Sequence, residues 1–491
     1  MKIIIIGAGI GGLATSIRLR VAGHEVAIFE AASQPGGKLS EIRADGFRWD
    51  AGPSLFTMPQ LVTELFELAG RRPEDFFEYE ALPIITRYFY EDGTLINAFH
   101  DPEAFIQELL LKTDEKETNI RSLLAKSAEL YEITNHVFLE RSLHKLSTYL
   151  RKETLRSALQ VHKLDAFRSM HASNTKRFAD PRVVQLFDRY ATYNGSDPYQ
   201  APATLNIIPH LEHSMGAFFP KGGMYAITQA LFGLAQDLGV DFHFETPVQR
   251  ITVDNGRVSG IVVDGEQIPA DAVVSNADIV PTYRKLLPTQ KAPEMVLSQP
   301  RSSSALIFYW GMNKAFPQLD THNIFFSDNY EEEFRQIWKV KSLSSDPTVY
   351  VFVSSKVEPT DAPSGCENWF VMINTPANTG QDWESLIAEA REHILQKLDR
   401  NLGEDVQSHI ISQSILDPRS IESRTSSHQG ALYGSSSNNP MAAFLRHPNF
   451  SRKLSGLYFC GGSVHPGGGI PLCLLSARIA TDCMEEDFAK S

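Results

Sequence analysis

The chain opens on a strand, turn, helix and strand pattern, and no other feature constrains its fold as strongly. Lys2 to Ile6 is a continuous β-branched run, typical of a strand that is buried on both faces of a parallel sheet. The glycine-rich turn Gly7 to Gly12 follows, and a stretch of helical periodicity then ends at Gly23. His24 to Glu30 predicts a second strand that closes on an acid. The pattern therefore predicts a βαβ unit of about 30 residues in an α/β fold.

The spacing of the glycines predicts a dinucleotide site in this unit. Gly7 permits the tight turn out of the strand, Gly9 lets the backbone approach a pyrophosphate, and Gly12 lets helix and sheet pack closely. The helix N-terminus offers free N–H groups to the phosphates. Glu30 stands at the end of the second strand, where a carboxylate binds ribose hydroxyls and disfavours the 2′-phosphate of NADP.

Composition limits the other function classes. The chain has 491 residues, enough for two or three domains, and 42% of them are apolar, which is ordinary for a globular enzyme. Its net charge of −13 argues against nucleic acid as a partner. No stretch of about 18 apolar residues occurs, so we expect no transmembrane helix and a cytoplasmic protein. The four cysteines form no CxxC pair and no metal-ligand cluster accompanies them, so we expect reduced thiols and no metal.

Further motifs carry a resemblance to a known family. They are Pro35-Gly36-Gly37-Lys38, the Gly46 to Leu55 loop with Asp50-Ala51-Gly52-Pro53, Phe219 to Met224, Val273 to Asp278, and Gly456 to Pro471. In this order they resemble the flavin amine oxidase superfamily, and within it the bacterial-type carotenoid (phytoene) desaturases. The likeness is greatest to the 1-hydroxycarotenoid 3,4-desaturases. It extends over essentially the whole chain.

The resemblance implies FAD as the cofactor and assigns residues to it. Gly7, Gly9 and Gly12 would contact the pyrophosphate and Glu30 the ribose, while Lys38 would pair with phosphate in a position where Arg is commoner. The other implied cofactor contacts are Ser54, Leu55, Val248, Asn276, Leu306, Gly462, Gly469, Ile470, Pro471 and Leu472. His465, beside the implied flavin loop, is the candidate catalytic residue, although it could instead only hydrogen-bond the loop backbone. A dedicated base is not required, because the proton can leave to water.

The predicted fold is α/β, with a Rossmann-like FAD-binding domain interleaved with a mixed α+β substrate domain. The FAD-binding domain is expected to consist of residues 1–80, 215–282 and 425–491. The substrate domain, residues 81–214 and 283–424, is expected to enclose an apolar tunnel.

The predicted reaction is FAD-dependent desaturation of a long carotenoid, in the form of 3,4-desaturation of a 1-hydroxylated acyclic end. We find no second nucleotide-binding unit, so electrons are expected to leave to oxygen or a quinone rather than arrive from NAD(P)H. Three alternatives remain open. They are a phytoene or diapophytoene desaturase, an amine or porphyrinogen oxidase, and a non-enzymatic prenyl-binding escort protein.

The segment from Arg141 to Arg177 differs in charge from the rest of the chain. It holds nine basic residues against two acidic ones, Glu153 and Asp165. Leucines recur at helical spacing within it, at positions 143, 146, 150, 155 and 159. A basic amphipathic stretch is typical of helices that lie on anionic membranes, although it could also be a solvated face over the core. The segment predicts a peripheral contact with the cytoplasmic membrane.

Overall fold

The computed structural model describes residues 1–149, 151, 152, 154, 157, 160 and 163–489, and the statements below concern these residues. Its α-helices of six or more residues span Ile10–Val21, Gln60–Leu68, Pro102–Lys112, Glu117–Thr134, Met170–Arg177, Pro181–Asp188, Ile208–His213, Tyr225–Asp237, Tyr330–Arg335, Trp383–Leu402, Pro418–Thr425 and Ile470–Phe488. No helix in this part of the chain is long and apolar enough to cross a membrane.

A five-stranded, wholly parallel sheet forms one centre of the fold. Its strands, in spatial order, are Leu457–Phe459, Ala272–Ser275, Lys2–Ile6, Glu25–Phe29 and Asp241–His243. The helix Ile10–Val21 connects the strands Lys2–Ile6 and Glu25–Phe29. It packs on the helices Ile470–Phe488 and Tyr225–Asp237. A parallel sheet covered by helices is buried on both faces, which explains the unbroken isoleucine run in its central strand. The predicted βαβ unit is confirmed.

A seven-stranded mixed sheet forms the second centre. Its strands, in spatial order, are Ile410–Leu416, Ser304–Met312, Glu367–Thr375, Val349–Phe352, His322–Phe325, Ile84–Phe89 and Leu95–Phe99. One face packs on the helix Trp383–Leu402 and forms an apolar core with it. The Ile84–Phe89 and Leu95–Phe99 strands make the hairpin that Asp92-Gly93 predicts.

Three small antiparallel sheets complete the strands that the structure describes. One contains Arg250–Asp254, Arg257–Val263 and Glu266–Pro269. The others pair Glu41–Ala44 with Phe47–Asp50, and Tyr79–Ala81 with Phe218–Pro220.

The five-stranded sheet takes its strands only from the three stretches assigned above to the FAD-binding domain. The seven-stranded sheet takes its strands only from the two stretches assigned to the substrate domain. The fold class is therefore confirmed, whereas the domain boundaries themselves remain a proposal.

Candidate active site

A cavity of about 920 Å³ lies where the two sheets meet. Such a volume is at the upper end of the range for cofactor and small-molecule sites, about 300–1,000 Å³. One wall consists of the loops at the carboxyl ends of the parallel strands, where ligands bind in open α/β sheets. The opposite wall is one face of the seven-stranded sheet. The cavity therefore joins a nucleotide-type site to a second compartment, which is the part lined by this face of the seven-stranded sheet.

The first glycine-rich loop lies in the cavity wall with its backbone exposed to the cavity. Gly7 and Gly9 line the cavity, and Gly7 has a φ of +98° that favours glycine. Gly12 lies behind them, because a Cβ there would come within 2.2 Å of the Gly7 carbonyl oxygen. Asn276 also lines the cavity, and a Cβ at Gly9 would approach its Oδ1 to 2.7 Å. This cradle of backbone without side chains fits the pyrophosphate of a dinucleotide.

Glu30 lies on the cavity wall, and a ribose contact for it stays a prediction. Its carboxylate accepts hydrogen bonds from the backbone N–H groups of Ala8, at 2.6 Å, and Ala32, at 2.9 Å. These bonds fix the side chain at the cavity wall and leave lone pairs for ribose hydroxyls.

Lys38 lines the cavity but its ammonium group already has protein partners. Nζ donates to the carbonyl oxygens of Leu432, at 2.8 Å, and Ala431, at 3.0 Å. Burial lowers the pKa of Lys38, while the charges of Asp278 and Cys473 oppose that shift. The side chain therefore fastens the 431–432 loop to the GG turn, and a phosphate contact for it stays a prediction.

In the Asp50 to Leu55 loop, some residues hold the loop against its neighbours and others line the cavity. Asp50 accepts hydrogen bonds from Met224 and Tyr225 at the start of a helix, each at 3.0 Å, and from the Arg48 guanidinium at 2.7 Å. Gly52 has no room for a side chain, since a Cβ would lie 1.8 Å from the Lys38 carbonyl oxygen. Ser54 and Leu55 line the cavity, as the resemblance implies.

The last helix begins at the cavity. Gly462, Gly469, Ile470 and Pro471 line it, so the N-terminus of the helix Ile470–Phe488 is directed at the cavity and favours negative charge there. Leu472 does not line it.

Val248 lies on the cavity wall, in the loop that precedes the strand Arg250–Asp254. This position agrees with the implied contact near adenine, which stays a prediction.

The expectation for Leu306 needs a correction. Leu306 is fully buried in the core on the helix-covered face of the seven-stranded sheet, and it does not line the cavity. Ile307, its neighbour, does line the cavity. Successive side chains of a strand point to opposite faces, so an error of one residue exchanges the two sides of the sheet.

His465 lies outside the cavity wall. It is 1% exposed, and its Nε2 donates to the Arg141 carbonyl oxygen at 2.8 Å, while Nδ1 has no partner among the described residues. Burial lowers the pKa of His465 to about 3, so the ring is neutral. This position supports the alternative reading, a histidine that hydrogen-bonds the backbone, and gives no support to a catalytic role.

Sequence reasoning missed a buried cation at the second compartment. The Arg189 guanidinium lies 4.7–5.1 Å from the ring centres of Tyr88, Tyr190 and Tyr193. It also lies 3.5 Å from the Glu212 carboxylate, to which Tyr193 donates a short hydrogen bond. Arg189 and Tyr193 line the cavity. Only their spacing of four residues could have indicated that they act together.

A chain of hydrogen bonds also reaches this compartment from the Asp50 to Leu55 loop. The Ser54 hydroxyl lies 2.7 Å from the Tyr350 hydroxyl, which lies 2.7 Å from Nδ1 of His322. All three residues line the cavity. They come from three distant parts of the chain, and no sequence signal connects them.

A backbone cradle, a carboxylate and a helix N-terminus that meet at one cavity on this fold are typical of enzymes that bind a dinucleotide cofactor. The family model described as flavin-containing amine oxidoreductase matches residues 10–484, so the chain belongs to that family. This membership confirms the predictions of an enzyme and of FAD as its cofactor.

Among curated proteins, the chain is 50% identical over 481 residues to a 1-hydroxycarotenoid 3,4-desaturase from Flavobacterium sp. (strain P99-3), covering 98% of each chain. It is 34% identical over 497 residues to a 4,4′-diapolycopene oxygenase from Methylomonas sp., covering 99% of this chain and 98% of that protein. The resemblance that the motifs indicate is therefore confirmed.

Solved structures share the fold. A putrescine oxidase double mutant matches with a TM-score of 0.66 at 13% identity, covering 99% of both chains. The cyclohexylamine oxidase from Brevibacterium oxydans IH-35A matches with a TM-score of 0.64 at 15% identity, again covering 99% of both chains.

Proposed function

We propose that this protein is an FAD-dependent desaturase that introduces the 3,4 double bond into the 1-hydroxylated, acyclic end of a carotenoid. The observation that carries the proposal is that the nucleotide cradle and an apolar sheet face line one continuous cavity. The identity of 50% over nearly the whole chain to a desaturase with that activity supports it.

Bound FAD would accept the hydride that leaves the substrate when a C–C single bond becomes a double bond, and the second hydrogen leaves the neighbouring carbon as a proton to water. The residues that would hold it are those of the glycine cradle, with Glu30 on the ribose and the last helix N-terminus near the ring. The dipole of that helix end favours negative charge at its side of the cavity.

The chain's own contribution is alignment and the exclusion of water. The sheet face presents apolar side chains to the cavity at alternating positions of adjacent strands, namely Ile307, Ile324, Phe370, Met372 and Leu416. A polyene pressed on this surface loses water and rotational freedom, and its reacting carbons are held in one orientation.

The first experiment incubates the FAD-loaded protein with carotenoids that carry or lack a 1-hydroxyl group and follows the absorption spectrum. We expect a red shift for the hydroxylated substrate, because each new conjugated double bond lengthens the polyene. A product that gains oxygen instead would assign the protein to the oxygenase group, and no change with any carotenoid would refute the proposal.

A pair of variants tests whether the sheet face is the substrate wall. Ile307→Trp fills the cavity and should abolish turnover while FAD stays bound, whereas Ile411→Trp adds the same bulk at an exposed position of an edge strand and should leave turnover unchanged. Full activity of the Ile307→Trp protein would place the substrate elsewhere.

We further propose that oxygen or a quinone accepts the electrons and that the segment 141–177 contacts an anionic membrane from the cytoplasmic side. Arg151, Lys152 and Lys176 are exposed, and Phe167 nearby is 93% exposed, as a side chain that enters a lipid surface would be. Other parts of this segment serve the fold instead, since Leu143 is buried and Lys145 pairs with Glu486 at 2.9 Å.

Part of the basic amphipathic pattern lies outside the described residues, including Leu150, Leu155, Arg156 and Leu159. Charge reversal at Arg151 and Lys152 should abolish sedimentation with anionic liposomes. Reversal of the exposed pair Arg71 and Arg72 serves as the control and should leave it unchanged. Equal binding of both variants would refute the membrane contact.

A further inference from the structure

The second compartment contains polar atoms that are buried and left without partners. His322 is 2% exposed and lines the cavity, and its Nε2 has no hydrogen-bond partner among the described residues. Nε of Arg189, on the same cavity wall, is also buried without a partner in that part of the chain. A buried polar group without a hydrogen bond is destabilising, so the arrangement calls for a ligand atom that completes it.

The ring of His322 is held rigidly. Its Nδ1 is bonded to the Tyr350 hydroxyl at 2.7 Å, and the ring stacks on Phe352 with centroids 5.0 Å apart. With one nitrogen hydrogen-bonded and the ring stacked on Phe352, the position of Nε2 is determined by the protein before any ligand arrives. Such preorganisation is typical of a recognition group rather than of a side chain that only fills space.

Depending on the direction of the hydrogen bonds in this chain, Nε2 of His322 is either a donor or an acceptor. Burial and the charge of Arg189 lower the pKa of His322 to about 3, so the imidazole is neutral and carries one proton. If Tyr350 donates to Nδ1, Nε2 is a donor; if Tyr350 donates to Ser54, Nδ1 carries the proton and Nε2 accepts. An alcohol hydroxyl is both donor and acceptor, and it can satisfy either state.

We propose that Nε2 of His322, positioned by Tyr350 and Ser54, is the subsite that recognises the 1-hydroxyl group of the substrate. This inference rests on the proposed function and gives the residue that determines the requirement for a 1-hydroxyl group. The hydroxyl oxygen is three bonds from C3, or about 4–5 Å from the reacting pair of carbons in an extended chain. A group that recognises this hydroxyl must therefore lie beside the reacting bond. The hydrogen bonds from His322 lead through Tyr350 to Ser54, which lies in the loop expected to face the flavin.

The test compares kcat/KM for a carotenoid with a 1-hydroxyl group and for the same carotenoid without it. In the parent protein we expect a preference of about 10- to 100-fold, the equivalent of one buried hydrogen bond. His322→Phe keeps the ring and its stacking but loses the nitrogen, so the preference should fall to about 1, through loss on the hydroxylated substrate alone. His322→Gln retains a polar end and should restore part of it.

His447→Phe is the matched control. His447 is likewise buried and hydrogen-bonded to a tyrosine, Tyr283, at 3.1 Å, but it does not line the cavity. The preference should stay unchanged in this variant. FAD content and the melting temperature of each protein show whether it folds, and the shift of the carotenoid absorption on binding gives a second measure of the preference.

The outcomes separate the two proposals. An unchanged preference in folded His322→Phe, or a parent protein that desaturates both substrates equally, overturns the hydroxyl subsite while the desaturase assignment stands. Absence of desaturation of either substrate by the parent protein overturns the proposed function itself. If His322→Phe fails to fold, the partial loss expected in His322→Gln decides, and a full preference there also overturns the subsite.

Discussion

Gly12→Ala tests the packing beneath the nucleotide cradle. The added Cβ would lie 2.2 Å from the Gly7 carbonyl oxygen, where real contacts stay above 3.0 Å. The obstacle is backbone at the end of a central strand, so no side chain can rotate away. The helix Ile10–Val21 must instead move outwards by about 1 Å, and overpacking of this kind costs about 1–3 kcal/mol.

This displacement also moves the free N–H groups at the helix start away from the site expected for the pyrophosphate. If the whole cost appears in cofactor binding, the affinity for FAD falls by about 5- to 150-fold. The measurement is a titration of the deflavinated protein with FAD, followed by flavin fluorescence, together with the unfolding midpoint of the loaded protein.

Gly233→Ala is the control for this prediction. Gly233 lies inside the helix Tyr225–Asp237 and has no atom within 4 Å of the added Cβ, so alanine there should be neutral or stabilise by about 0.5–1 kcal/mol. A Gly12→Ala protein with the FAD affinity and unfolding midpoint of the parent would refute the reasoning, because it would mean that the helix does not depend on this contact.

Three further predictions follow from buried charges. Arg48→Met leaves the carboxylates of Asp50 and Asp361 without their cation and should lower the free energy of unfolding by about 3–5 kcal/mol in urea titrations; a loss below 1 kcal/mol would contradict it. Burial raises the pKa of Glu333 from 4.5 to about 7, so its folded form resists ionisation and stability is lost as the pH rises between these values. Glu333→Gln should therefore stabilise by about 2–3 kcal/mol more at pH 8 than at pH 5, and an equal effect at both would refute this. Lys38→Met removes both bonds to the 431–432 carbonyls and should lower the FAD retained after gel filtration, with Lys38→Arg restoring part of it; full retention by Lys38→Met would show that the fastening is dispensable.

The parts of the fold that the sequence predicts well are those with local signals. The strand Lys2–Ile6, the helix Ile10–Val21 and the strand Glu25–Phe29 each follow from a short run of neighbouring residues. The glycine cradle belongs to this group too, because its spacing is set within one turn.

Leu306 is a position where local signals in the sequence do not determine which face of a strand lines the cavity. Every residue of the strand Ser304–Met312 is buried, so the alternation that would distinguish its two faces is absent from the sequence. Which face lines the cavity is decided by the helix Trp383–Leu402, which lies about 80 residues further along the chain.

The group proposed to recognise the hydroxyl, His322, could not be predicted from the sequence for a different reason. Ser54, His322 and Tyr350 meet only because the Asp50 to Leu55 loop and the paired strands His322–Phe325 and Val349–Phe352 converge on one cavity. Each residue alone is an ordinary polar side chain in an apolar surrounding, and only the tertiary fold reveals that Nε2 of His322 has no hydrogen-bond partner among the described residues.

The order of strands in the five-stranded sheet has a consequence for how the protein is made. The strand Lys2–Ile6 pairs on one side with Glu25–Phe29, which is synthesised shortly after it, but its partner on the other side, Ala272–Ser275, and the next strand, Leu457–Phe459, are synthesised only much later. Until then, one edge of this apolar strand has no partner, and such non-local pairing is slow and exposed to aggregation. The cavity wall also includes Asn276 and the start of the helix Ile470–Phe488, so the complete cofactor site forms only after these late segments have been synthesised.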